Sequence, residues 1–308
     1  MSDLSDLVNE VDDLIRPFGE IDLLLLYGVI SRYLKNFLGG REIATRVWLS
    51  SGNIPYFLRR GTNQDALFID EFIENVDRDF LFKRKEFEDL DSARSELNKK
   101  QELIWQYFVP NKLINFFYAT NKEKNDSIDR AYLDIDRGDG VSADEARKLT
   151  YELSKLVNSS EDFMQDVKET FVFWTGNSFH YYFYFKEEKK MSFYNKKLRV
   201  SEHKPRTLVE TWVEQLNEKL SEVDVVGGHE RVDGKINIDP SQTPPGKLGR
   251  PPLGSVHLEG AEKIDGFSIP IEEEMLSKKD LIEELTSYSA RKIALESEEL
   301  GGRIPDVQ

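Results

Sequence analysis

Two aspartates one residue apart, Asp134-Ile135-Asp136, carry the sharpest chemical signal in the chain. On an extended strand, residues two apart face the same side, so both carboxylates project together while Leu133 and Ile135 face the other way. Adjacent carboxylates repel unless a cation lies between them, and hard oxygen ligands suit Mg²⁺ or Mn²⁺. Such a pair at a strand end fits two divalent ions for phosphoryl or nucleotidyl transfer. A solvated turn with three aspartates is the plainer alternative. The same residues also admit a calcium reading. Asp134, Asp136 and Glu145 fall at positions one, three and twelve of an EF-hand loop, although Gly138 falls at five and Asp139 replaces the glycine expected at six.

A second constellation is Thr175-Gly176-Asn177-Ser178-Phe179-His180. Hydroxyls from Thr175 and Ser178, backbone N–H groups and an inward His180 are groups that could hold a triphosphate. An aromatic sheet with one hydrogen-bonded histidine is the alternative. The third is Ile238-Asp239 followed by Lys247, Arg250, Ser255 and His257. It offers another acid, two cations and a second hydroxyl–histidine pair. Gly246-Lys247 is no P-loop, because no glycine precedes at the right spacing and Leu248 stands where Ser or Thr is needed.

These residues need elements to position them. Arg130–Ile135 reads as a strand and 137–140 as a turn. Ser142, with Glu145 three residues on, opens a helix that runs to about Val157. Thr170–Trp174 and Phe179–Phe185 read as an aromatic hairpin, and Leu208–Leu220 as a helix. Gly227–Leu258, rich in Gly and Pro, reads mostly as loop, and Glu272–Glu299 as a charged helical tail. Upstream, Ser2–Arg16 and Leu23–Phe37 read as helices, the second stopped by Gly39-Gly40. Ala44–Leu49 and Lys112–Ala119 are strand-like, and Ser51-Gly52-Asn53 reads as a turn. Tyr56–Ile73 and Phe80–Asn111 carry helical patterning. The central order predicts an α+β fold built on a split βαβ sheet of ferredoxin or palm type.

Composition bounds the rest. The 308 residues suggest one large or two modest domains. The net charge of −15 means that contact with nucleic acid or an anionic membrane needs a local basic patch. Arg59-Arg60-Gly61 and Lys196-Lys197-Leu198-Arg199 are the best such patches. The absence of cysteine excludes disulfides, Cys-ligated zinc and iron–sulfur clusters, and fits a reducing cytoplasm. Four histidines exclude a dense imidazole site. The N-terminus is acidic and amphipathic, unlike a signal peptide, and the apolar run Ile21–Ile30 is too short to span a bilayer, so no membrane partner is expected.

Taken together, Tyr132-Leu133-Asp134-Ile135-Asp136, Ser178-Phe179-His180 and Ile238-Asp239 occur in an order that resembles the archaeo-eukaryotic primase superfamily, in particular the catalytic subunit of DNA primase. Arg250…Gly254-Ser255-Val256-His257 looks like that subunit's later basic and S-x-H segment, and Gly40-Arg41-Glu42-Ile43-Ala44 like a stretch near its start. The resemblance implies a primase core with an RRM-like or palm-like sheet at 121–270, an N-terminal α/β part at 1–120 and a helical C-terminal tail at 271–308. It implies a DNA primase or primase-polymerase that builds primers on single-stranded DNA from NTPs or dNTPs. Asp134, Asp136 and Asp239 would hold two Mg²⁺ or Mn²⁺ ions. Thr175, Ser178, His180, Lys247, Arg250, Ser255 and His257 would hold the nucleotide. A large primase subunit is a candidate partner. The chain departs from the family in lacking cysteines for a zinc knuckle, in placing Asn177 where an arginine is expected, and in its proline-rich loop. A calcium-binding module and an inactive primase-like scaffold stay open as alternatives.

Overall fold

Alternation of apolar and polar residues through Ser127–Arg137 makes this eleven-residue segment a strand that serves two faces at once. It is the fourth of twelve strands among the described residues, numbered along the chain. The computed structural model describes residues 4–10, 22–47, 57–109, 114–123, 126–201, 206–259 and 263–307. The fold is α+β, and the chain divides into two compact units.

The first unit comprises Met1–Tyr118, Arg250–Ile269 and Tyr288–Gln308. Strands β1 (Ile43–Val47), β2 (Phe57–Arg59) and β3 (Ile114–Ala119) pair antiparallel, with β1 in the middle. The helix Leu23–Leu38 is capped by Asp22, whose Oδ1 accepts from the N–H groups of Leu24 and Leu25. Its Tyr27 packs edge-on to Phe108 and Phe116 and donates to the Ile114 carbonyl at 2.6 Å. Strands β10 (Val256–Glu259) and β11 (Lys263–Phe267) form a hairpin with an irregularity at His257/Leu258. One sequence expectation changes here. Phe57–Arg59 is a strand because it pairs with β1, and the helix begins only at Ile69. The Ser51-Gly52-Asn53 turn and the end of the Ser2–Arg16 helix lie outside the described residues.

The second unit comprises Ala119–Gly249 and Pro270–Ser287. Its strands are β4 (Ser127–Arg137), β5 (Val167–Trp174), β6 (Phe179–Lys190), β7 (Asp224–Gly227), β8 (Lys235–Asp239), the two-residue β9 (Leu248–Gly249) and, at the unit boundary, β12 (Ile269–Ile271). Six of them form one sheet in the order β12-β5-β6-β4-β8-β7. Strand β6 lies antiparallel to both β4 and β5, so the β4–helix–β5 connection joins parallel strands with β6 between them, which is the predicted split βαβ. The connecting helix Ala143–Asn158 buries Ala146, Leu149, Leu153, Leu156 and Val157 at spacings of three to four. Opposite it, the sheet offers Leu133, Ile135, Phe179, Tyr181 and Phe183, all fully buried. Burying each apolar side chain stabilises by about 1.5–3 kcal/mol. Asn158 and Tyr181 both donate to Glu273, at 2.9 and 3.2 Å, which fixes the returning segment on this unit.

Two further expectations change in this region. Within the supposed loop Gly227–Leu258, Lys235–Asp239 is an internal strand, because Ile236 and Ile238 are buried between β4 and β7. Glu272–Glu299 is helical only in pieces: a 3₁₀ turn Glu273–Ser277 and helices Leu281–Thr286, Ala290–Leu295 and Ser297–Gly302. No helix among the described residues is long and apolar enough to cross a membrane.

Candidate active site

Strand register assembles the acids. Asp134 lies opposite His180 on β6 and opposite Asp239 on β8, so three polar side chains form one row across the sheet. Directly opposed Cβ atoms lie about 4.5–5.5 Å apart. Asp136 falls opposite Asn237 one row away. His180 Nε2 lies 3.1 Å from Asp134 Oδ1, and the imidazole packs against the Tyr132 and Phe173 rings at 4.9 Å each. Its Nδ1 is buried without a hydrogen-bond partner among the described residues. Beyond this row the same face becomes an aromatic ladder, with Tyr132 stacked on Tyr182 at 4.5 Å.

Asp239 is 5 % exposed. One carboxylate oxygen accepts from the Ser241 N–H at 2.7 Å and the other from the Ser241 hydroxyl at 2.8 Å. Burial nevertheless pushes its pKa above the ordinary 3.8; the Ser241 bonds and His229 oppose this, and the Asp134 charge adds to it. Burial, with a contribution from Asp239, likewise pushes the Tyr194 phenol up to about 12. Among the described residues no group of three or more His, Asp or Glu side chains stands where it could hold a metal ion.

The turn after β5 is closed internally. The Thr175 N–H donates to the Ser178 carbonyl at 2.8 Å, the Ser178 N–H to the Thr175 hydroxyl at 3.0 Å, and the Ser178 hydroxyl to the Ile135 carbonyl. Gly176 has φ +97°, which a side chain would strain. Arg137 donates to both oxygens of Asn177. Gly138 is required for a different reason: a Cβ there would meet the Val232 carbonyl oxygen at 2.0 Å. Asn237 donates from its amide to the Glu230 carbonyl, holding the 228–234 loop that carries His229.

After Asp239 the chain is stapled to β4 by side chains. Thr243 Oγ1 accepts from the Tyr132 N–H at 3.2 Å and lies 3.3 Å from the Tyr132 carbonyl oxygen. The Asn121 amide donates to the carbonyls of Arg130 and Thr243. Lys247 is exposed, and its carbonyl accepts from the Thr120 N–H.

Arg250, Ser255 and His257 belong to the first unit. Arg250 donates to the Val256 carbonyl and lies 5.2 Å from the Phe117 ring centre, which Arg46 approaches at 5.0 Å. The Ser255 hydroxyl donates to the Phe116 carbonyl at 2.9 Å, and His257 Nδ1 lies 3.2 Å from Asp265 Oδ2. Arg60, expected in a local basic patch, is buried and lies 3.6 Å from Glu42. Lys196 and Arg199 are exposed.

The calcium alternative is overturned. A strand, not a helix, enters the Asp134–Glu145 segment, and Glu145 accepts from the backbone and hydroxyl of Ser142 as a helix capping box. Sequence reading missed Arg137, Asn237, His229, Tyr194 and Asn121. Ser241 alone left a trace, as the second residue after an aspartate in an Asx-type turn.

No protein-family model and no curated protein matches the chain. Among solved structures, the polymerase domain of Ligase D from Mycobacterium tuberculosis, in complex with DNA, matches with a TM-score of 0.50 at 17 % identity, over 92 % of this chain and 92 % of that one. At this identity the likeness shows a shared fold, and with it the α+β architecture that carries the acidic row.

Proposed function

We propose that the chain is a DNA-dependent nucleotidyltransferase of the primase-polymerase kind. The observation that carries the reading is the row His180–Asp134–Asp239, with Asp136 two residues along the same strand. A fold shared with a polymerase domain solved with DNA supports it. Two carboxylates directly opposed, one of them buried and made harder to ionise, suit a site that receives a cation. The backbone register and the all-oxygen donor set fit Mg²⁺ or Mn²⁺ once Asp134 and Asp239 turn out of their bonds to His180 and Ser241.

Asp134, Asp136 and Asp239 would hold the ions. When bound, two such ions lower the pKa of an attacking 3′-hydroxyl and neutralise a leaving pyrophosphate. His180, released from Asp134, would donate to a phosphate oxygen, as would Lys247. Thr175 and Ser178 would act through the backbone they fix, since their hydroxyls already bond within the protein. The template would be single-stranded DNA, with Lys196 and Arg199 offering exposed charge.

The test is nucleotide incorporation on single-stranded DNA, primed and unprimed, with NTPs or dNTPs and either metal, alone or with a large primase subunit added. Incorporation by the wild type that vanishes in Asp136→Ala, with folding intact, supports the reading. Nucleotide-independent DNA binding with no incorporation under any condition overturns it in favour of an inactive scaffold.

A further inference from the structure

We propose that Arg137 is a positioning residue that fixes the hairpin tip Gly176-Asn177 against β4 and thereby sets nucleotide affinity; this rests on the nucleotidyl-transfer reading. Arg137 follows Asp136 directly, so its side chain leaves the strand on the face opposite the acids. From there its guanidinium spans two loops. Nε donates to the Asn177 carbonyl at 2.9 Å, Nη2 to Asn177 Oδ1, and Nη1 to the Val141 carbonyl at 2.7 Å. A planar fork matches the paired oxygens of Asn177; a lysine ammonium offers one point of charge and no such match.

The turn is therefore held from β4 twice. Ile135 accepts from the Ser178 hydroxyl, and Arg137 grips Asn177. Asp136 lies between these two anchors in sequence. The strand that bears the acids thus also sets where the turn stands relative to them. Gly176 has little conformational preference of its own, so without the guanidinium the tip would sample other positions. The structure brings a guanidinium to Asn177 from the neighbouring strand.

The full chain would be compared as wild type, Arg137→Ala, Arg137→Lys, Asn177→Ala and Asn177→Asp. Amide hydrogen exchange over 175–178 and steady-state incorporation with varied nucleotide are the readouts. Arg137→Ala and Asn177→Ala should each speed exchange and raise the nucleotide KM by about tenfold, the worth of one charge-assisted bond, with kcat within about threefold. Arg137→Lys should behave like Arg137→Ala. Asn177→Asp keeps both acceptors and should hold exchange over 175–178 near the wild-type rate. A KM unchanged per folded molecule, with or without a lower melting temperature, would reduce Arg137 to a structural brace and overturn the proposal. Unchanged exchange in Arg137→Ala overturns it as well. Absence of incorporation by the wild type refutes the nucleotidyl-transfer reading and with it the effect on affinity. Exchange then still decides whether Arg137 holds the tip.

Discussion

Two buried aspartates, one in each unit, are treated in opposite ways. Asp22 in the first unit is 3 % exposed; its Oδ1 accepts from two helix N–H groups and from Arg84. Charge meets charge, and the cap helps to start the helix Leu23–Leu38. Asp239 in the second unit is 5 % exposed, but its strand neighbour is another acid, Asp134. Its only bonded partner among the described residues is the neutral Ser241, and its carboxyl is harder to ionise than usual. A carboxylate that serves the fold is given a cation. One set against another carboxylate costs stability, and that cost is a physical pointer to function.

The comparison breaks first if Asp239 is dispensable. Asp239→Asn should reduce incorporation to background while the melting temperature of the metal-free protein stays level or rises, because a like-charge contact is removed. Persistent activity would make the acidic row ornamental. Asp22→Ala should do the reverse, lowering stability by about 3–5 kcal/mol because a buried Arg84 loses its partner, with activity per folded molecule unchanged. Denaturant titration alongside the incorporation assay checks both.

Smaller effects sharpen the contrast. His180→Ala should weaken nucleoside triphosphate binding by about tenfold, or about 1.4 kcal/mol, and leave single-stranded DNA binding nearly unchanged. Titration of a labelled triphosphate with Mn²⁺ decides. Glu145→Ala should cost about 1 kcal/mol as a lost helix cap and leave metal dependence untouched; a change in metal response would revive the calcium reading. The smallest signal is in pH. A carboxyl with a raised folded-state pKa contributes stability below its ordinary 3.8 and loses it as pH rises through the raised value. The metal-free wild type should therefore lose stability relative to Asp239→Asn as pH rises from the ordinary 3.8 through the raised value. Parallel melting curves for the two proteins across that range would remove the pair repulsion from the account.

Local chemistry made much of this legible in the sequence. Period-two alternation placed Asp134 and Asp136 on one face of a strand. The Ser142–Glu145 spacing gave the helix start, and the aromatic runs flanking Gly176-Asn177 gave the hairpin. Strand Lys235–Asp239 was hidden because five residues between glycine-rich turns carry too short a pattern, and only burial between two neighbours makes it a strand.

The sequence by itself determined which residue types are available for catalysis and which side of their strand they take, since those follow from bond geometry within a few residues. Only the tertiary structure decided that Asp239 stands opposite Asp134, that Arg137 reaches Asn177 forty positions away, and that Arg60 is buried rather than solvated. Register between distant strands and the burial of a charge depend on how the whole chain packs, and no local pattern encodes that packing.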